Sequence, residues 1–317
     1  MEIIERVTND IDELFTWDDE GSDRRYLQLS KGPLKFSHRQ VILPNLIIEW
    51  NSYGQSVLFH EVLDSPGFFF GVQVDSTGPA VYRGHDVLKT EALVYHRGIE
   101  HAYRVRPQSE SLVLAITPPL CDALGWRLSQ DPVQQVPGER LDRLVAVCRD
   151  VTRAALTPHL NQLNPDWELA QRDRVLVALR SVLAPWTANQ PQPSRHATSG
   201  SRGFQLVKNA KQLIDRLPSD QKLRVAELAA ELETSERVLY ESFRTTLGVG
   251  PYEFRMLNQM HAFRDSILSG PAFRGKITKA AIATGFTHLG RLTQNYRQHF
   301  NETPRQTIQR RSSVKNM

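Results

Sequence analysis

Cysteine is nearly absent from the 317 residues: only Cys121 and Cys148 occur. Two isolated cysteines build neither a disulfide framework nor a zinc finger, and a reduced, cytoplasmic interior is the expectation. Long apolar runs are missing as well, since none approaches the ~18 residues of a membrane span. The first twenty residues, MEIIERVTNDIDELFTWDDE, are acidic and interrupted and do not read as a signal peptide. Catalytic signatures are equally scarce. The chain has no Gly-x-Ser-x-Gly, no glycine-rich phosphate loop and no cysteine in a nucleophile context, so no catalytic residue is assigned.

What is present describes a folded protein with 40% hydrophobic and 23% charged residues. The length suffices for two ordinary domains with separate cores. The overall formal charge of +4 hides a strong polarity. From Phe204 onward there are 18 Lys/Arg against 10 Asp/Glu, leaving 21 against 25 in the rest of the chain. From Pro251 the count is 11 against 3, so the last fifth carries the excess. A polyanionic partner for the C-terminal part is one reading, and a solvated basic face is the other.

Residues 186–203, WTANQPQPSRHATSGSRG, are rich in Pro, Ser, Gln and Gly and read as a linker. They separate residues 1–185 from residues 204–317. Between about Leu34 and Thr117 lie short runs of β-branched and aromatic residues: VILPNLIIEW, QSVLFHEVL, GFFFGVQV, EALVYH, HAYRV and SLVLAIT. Turn-forming stretches such as SYGQ, DSPG and STGP punctuate them, the rhythm of an antiparallel sandwich or barrel. After Pro118 the pattern becomes helical. PPLCDALGWRL reads as a short helix. In GERLDRLVAVCRDVTRAAL, Leu141, Leu144, Val145, Cys148 and Val151 share a face. In NPDWELAQRDRVLVALRSVLAPW, Asp166 is the expected N-cap and Leu169, Leu176, Leu179 and Leu183 are in register. These helices either complete the β core or pair in a homodimer. Aromatics at Trp50, Phe68 to Phe70, Tyr82, Tyr95 and Tyr103 either line an apolar ligand pocket or fill the core.

Everything after Phe204 reads as helical and contains a repeat. LAAELETSERVLYESFRTTLGVGP, from Leu228, aligns with AIATGFTHLGRLTQNYRQHFNETP, from Ala281, 53 residues later. Ala230 meets Ala283, Leu239 meets Leu292, Phe243 meets Tyr296, Arg244 meets Arg297, Leu247 meets Phe300 and Pro251 meets Pro304. Gly248 meets Asn301, the residue types that most readily end a helix in a left-handed conformation. Each unit reads as a short helix, a tight turn and a longer helix. Ser235 is the expected cap of the first long helix. Gly285 permits the second turn, after which Thr287 or His288 starts the second long helix. With Leu239, Phe243 and Leu247 inward, Glu236, Arg237, Tyr240, Glu241 and Arg244 face out. With Leu292, Tyr296 and Phe300 inward, Gly290, Arg291, Thr293, Gln294 and Arg297 face out. This is helix-turn-helix geometry, in which the second helix presents its N-terminal residues to the major groove.

On these residues, about Phe204 to Arg311 resembles the C-terminal DNA-binding domain of AraC/XylS-type transcriptional regulators. GPYEFRMLNQMHAFRDSILSG fits the helix that joins the two units in that family. The sequence departs from the family pattern at Leu292, Tyr296, Asn301 and Gln259-Met260, all core-compatible changes. The resemblance implies an α+β multidomain fold, with an N-terminal β-rich, cupin-like domain with trailing helices and a C-terminal all-α domain with two helix-turn-helix units. It places base contacts at Arg237, Tyr240 and Glu241. Arg244, Gly290, Arg291, Thr293, Gln294 and Arg297 complete the expected DNA-binding surface, with Arg297 and Arg305 assigned to phosphates. It further implies double-stranded DNA as partner, a small organic effector, contact with RNA polymerase, activation of transcription and, for the N-terminal region, dimerisation. The alternative is a cupin-type enzyme carried on a DNA-targeting module. His96, Glu100 and His101 in YHRGIEH, with His60 and His85, are its candidate metal ligands. The usual His-x-His pair is missing, and His96 and His101 would point to opposite faces of one strand. No metal or cofactor is therefore expected.

Overall fold

The computed structural model describes residues 1–17, 23–62, 68–95, 100–125, 133–135, 138–157, 165–187 and 202–314. Most of the expected linker (188–201) and His96 lie outside these residues, as do the side chains of Tyr95 and Glu100. The chain begins with β1 (Glu2–Thr8), α1 (Ile11–Trp17) and β2 (Asp23–Gln28), then β3 (Phe36–Leu43), β4 (Leu46–Tyr53), β5 (Val57–Val62) and β6 (Phe68–Asp75). Strands β7 (Ala80–Tyr82), β8 (His85–Val87), β9 (Glu91–Tyr95), β10 (Glu100–Arg104) and β11 (Ser109–Ile116) follow. Helix α2 (Pro118–Ala123), β12 (Val133–Gln135), α3 (Gly138–Ala155) and α4 (Pro165–Thr187) complete the N-terminal region.

All strand pairs are antiparallel, in two sheets ordered β1-β3-β4-β11-β6-β9-β12 and β2-β5-β10-β7-β8. The β-rich, antiparallel expectation is thus met. Asn45, at φ +62°, makes the tight turn between β3 and β4. Side chains alternate strictly across β4. Leu46, Ile48 and Trp50 join the core beneath α3 and α4, where the Trp50 indole N–H donates to Thr152 Oγ1 at 3.0 Å. Tyr53 faces the other sheet and stacks edge-on against Phe59 at 5.4 Å. Trp50, Phe68 and Phe70 therefore fill the core under the helices rather than a pocket.

Helices α3 and α4 bury Leu141, Leu144, Cys148, Val151, Leu176, Leu179 and Leu183 against the seven-stranded sheet, completing its core. Two expectations fail here. Helix α4 starts at Pro165, so Asp166 lies in the first turn and is not the cap; Pro at the first position suits a helix start because its missing N–H would go unused. Leu169 is 38% exposed and lies off the buried stripe of the helix.

The C-terminal region is α5 (Arg202–Arg216), α6 (Val225–Glu231), α7 (Glu236–Leu247), α8 (Pro251–Leu268), α9 (Lys276–Ala283), α10 (Leu289–Phe300) and α11 (Pro304–Val314). It does not form a core of its own. One buried cluster runs from Ile11, Leu14, Leu29, Leu34 and Val57 through to Leu239, Phe263 and Tyr296. The five-stranded sheet and α1 thus pack directly on the helices, while the seven-stranded sheet with α3 and α4 keeps a second core. No described helix is long and apolar enough to cross a membrane.

Candidate nucleic-acid interface

Helices α6–α7 and α9–α10 are the two halves of the repeat, and α8 joins them. Ser235 caps α7, its Oγ accepting the Val238 N–H at 3.2 Å. Gly248 ends α7 at φ +78°, and Asn301 ends α10 at φ +60°. Gly285 turns the chain between α9 and α10 at φ +86°, and a Cβ there would lie 1.8 Å from the Ser219 carbonyl oxygen. The glycine is required by the close passage of another loop as well as by backbone conformation. His288 stands at the N-cap position, so α10 begins at Leu289.

The equivalent inward triplets of the two helices are all buried: Leu239, Phe243 and Leu247 in α7, Leu292, Tyr296 and Phe300 in α10. Opposite them, Glu236, Arg237, Tyr240, Glu241 and Arg244 are exposed on α7. Gly290, Arg291, Thr293, Gln294 and Arg297 are exposed on α10, as is Arg305 on α11. Each sequence-predicted contact residue therefore lies on an outward face. The two helices are twelve residues each, about 18 Å long.

Not all the basic excess faces outward. Arg255 turns in to cap loose ends, donating to the Ile214, Pro218 and Gln221 carbonyls at 2.7–3.1 Å. Lys276 does the same for Ser269, Gly270 and Pro271. Arg264, on α8, is 2% exposed and anchors a buried cluster. Its guanidinium bonds Asp10 at 2.7 Å, Asp12 at 2.6 Å, Glu302 at 2.8 Å and the Tyr296 hydroxyl at 2.6 Å. Arg310 also pairs with Asp10. Burial alone would lower Arg264, but Tyr296, Asp12, Asp10 and Glu302 outweigh it and keep it charged. Burial, with help from the Asp10 carboxylate, pushes Asp12 up to about 7 despite Arg264. Asp10 ends below the usual range: burial raises it, and Arg264 and Arg310 together more than compensate.

The N-terminal region reaches the far ends of both repeat helices. Arg104 of β10 donates to the Thr246 carbonyl at 3.1 Å and the Thr245 carbonyl at 3.3 Å, at the end of α7. At the end of α10 the His299 carbonyl accepts from Gln28 Nε2 and from the Gly32 N–H, each at 3.0 Å. His299 Nε2 lies 3.1 Å from the Gln28 carbonyl. Burial pushes His299 down to about 4 and the neighbouring His261 down to about 3, so both rings are neutral at pH 7. Sequence reading missed Asp10, Asp12, Gln28 and Arg104. One signal was legible: Arg264 falls in the helical phase of Leu257, Met260 and Ile267, a charge on an apolar stripe.

Among the described residues no group of three His, Cys, Asp or Glu could hold a metal ion. Burial raises Cys148 to about 12, which suits a packed core thiol.

A family model described as a helix-turn-helix domain matches residues 228–310. The chain is similar to the XylDLEGF operon transcriptional activator of Pseudomonas putida, 35% identical over 85 residues, which are 27% of this chain and 26% of that protein. It thus spans about a quarter of the length of the curated relatives it matches. Among solved structures, the AraC-like transcriptional activator CuxR overlaps 90% of this chain and 100% of its own, at 13% identity and TM-score 0.45. An AraC-type regulator from Chromobacterium violaceum overlaps 35% of this chain and 96% of its own, at 24% identity and TM-score 0.31. Neither likeness is close enough to bear on function. With two repeat units, a joining helix and a matching family model over the same residues, residues 228–310 carry a helix-turn-helix domain of the AraC/XylS type.

Proposed function

We propose that the chain is a sequence-specific DNA-binding transcriptional regulator in which α7 and α10 each enter the major groove. The repeat carries the reading: two helices of equal length rest on equivalent buried triplets and turn polar faces outward. Such a pair on one chain suits two groove segments one helical turn, roughly 34 Å, apart on the same DNA face. Arg237 suits guanine O6/N7, Glu241 suits cytosine N4 and Gln294 suits adenine N6/N7. Tyr240, Gly290, Arg291 and Thr293 share these faces, and Arg244, Arg297 and Arg305 are placed to neutralise phosphates.

The regulator reading extends to a small organic effector bound by residues 1–185. Tyr26, Tyr53, Phe59 and Tyr103 gather between the sheets and offer apolar surface. His38, Asn51 and Glu49 lie on the same side of β3 and β4 as Tyr53, linked at 2.7 and 2.8 Å, and add polar groups. We infer activation, by contact with RNA polymerase, because the similar Pseudomonas putida protein is named a transcriptional activator. Homodimerisation through the N-terminal region would let two copies read a longer site.

Selection of bound fragments from genomic DNA by the full chain, at physiological salt, tests the proposal. A site of about two helical turns is expected. Arg291→Ala or Gln294→Ala should weaken binding to that site by about 1–3 kcal/mol for each side chain–base pairing removed. Affinity unchanged by both substitutions would refute the placement of α10 in the groove.

A further inference from the structure

The hydrogen bonds at the far ends of α7 and α10 share one origin. Arg104 belongs to β10, Gln28 to β2, and both strands flank β5 in the same sheet. The end of α7 is thus tied to one strand, and the end of α10 to a strand two places away, about 10 Å across the sheet. Helix ends present unpaired carbonyls, and each of these ends is satisfied by a donor from the N-terminal region. At α7 the donor is a cation, which also suits the negative end of the helix dipole. Gly248 keeps the approach open, since a Cβ there would lie 2.9 Å from the Arg104 guanidinium. At α10 the bond is reciprocal, because neutral His299 donates back to the Gln28 carbonyl.

We propose that Arg104 and Gln28 are positioning residues for DNA recognition: the five-stranded sheet is a brace that sets the separation and angle of the two recognition helices. The proposal rests on the DNA-binding reading above and goes beyond it. The joining helix α8 packs on both recognition helices, through Phe254 on Phe243 and through Arg264 and His261 on Tyr296 and Phe300, and the sheet adds hydrogen bonds to the last carbonyls of each. The brace holds both at the ends opposite the groove, so their tips are spaced before DNA arrives. Spacing selectivity is then encoded partly in residues that never touch DNA. A change in this sheet would reach both reading heads together, by a path that does not pass through residues 186–203.

Two measurements decide it. The first needs no DNA. Spin labels at Glu241→Cys and Gln294→Cys, with Cys121→Ser, report the distance between the recognition helices in the full chain. A narrow distribution is expected, broadening in the Gln28→Ala/Arg104→Ala double variant. An unchanged width in a variant that melts as a folded protein overturns the brace. Arg104→Lys serves as a second variant, since it keeps the charge but lacks the planar fork that reaches the Thr245 and Thr246 carbonyls from two nitrogens. The second measurement uses a fragment that the full chain selects from genomic DNA, and derivatives with one base pair inserted between the half-sites. The insertion turns the second half-site by roughly 35°. The unmodified chain should lose about tenfold or more in affinity, and the double variant only about threefold, with binding to a single half-site unchanged. Equal penalties in both proteins overturn the proposal. If the full chain selects no fragment, the DNA-binding reading fails and the spin-label distances still decide the brace.

Discussion

Arg264→Ala removes the cation at the centre of the buried cluster and leaves Asp10, Asp12 and Glu302 facing one another with Arg310 alone nearby. At 2% exposure the Arg264 side chain has no water to replace it, so solvent screening offers little relief. Breaking a buried ion pair by deleting one partner costs about 3–5 kcal/mol, and here one deletion breaks three. The guanidinium also lies 4.6 Å over the Phe300 ring, a cation–π attraction that the same substitution abolishes. A loss of at least about 3 kcal/mol is therefore expected. Asp12→Asn is the informative contrast. Asp12 is pushed up to about 7, so near neutral pH it is already close to half protonated, and an amide keeps the acceptor for Arg264 Nε. That substitution should cost less than about 1 kcal/mol. Urea unfolding followed by two probes tests both. All five tryptophans precede residue 187, so their fluorescence follows the N-terminal region while far-ultraviolet circular dichroism weighs the helices. The shared core predicts coincident transitions in the unmodified chain, separating in Arg264→Ala. A loss below about 1 kcal/mol in Arg264→Ala would refute the charge cluster as the tie between the two regions.

Other consequences follow from the same packing. Gly285→Ala should cost more than the about 1–2 kcal/mol of a left-handed alanine, because the new Cβ also meets the Ser219 carbonyl; a melting temperature equal to that of the unmodified chain would contradict this. Stability should rise from about pH 4 and level off by about pH 7. His261 and His299, held down at about 3 and 4, contribute stability above the ordinary histidine range that is lost as pH falls through it. Asp12, held up at about 7, contributes stability at low pH that is lost as pH rises from about 4 to about 7. Asp12→Asn should remove the loss that Asp12 imposes between about pH 4 and 7 and so steepen the acid-side rise in thermal melts, and a profile unchanged by it would show that Asp12 ionises normally.

The sequence alone determined the helical C-terminal part, down to single residues. Its signals are local: apolar spacing of 3.6, a serine cap, and Gly248, Gly285 and Asn301 where only left-handed backbone closes the turn. The repeat placed the inward triplets, and with them the outward Arg237, Glu241, Arg291 and Gln294, because helical phase settles both faces at once. Short strands between about Leu34 and Thr117 were legible for the same reason, whereas β1, α1 and β2 were not, being short, charged and interrupted. Only the tertiary structure decided what the two halves do to each other. Asp10 and Asp12 meet Arg264 across more than 250 residues of sequence, and Arg104 meets Thr246 across 142. No periodicity records such partners. A buried charge or a helix-end carbonyl demands a partner from wherever the chain can supply one, and packing alone chooses the supplier.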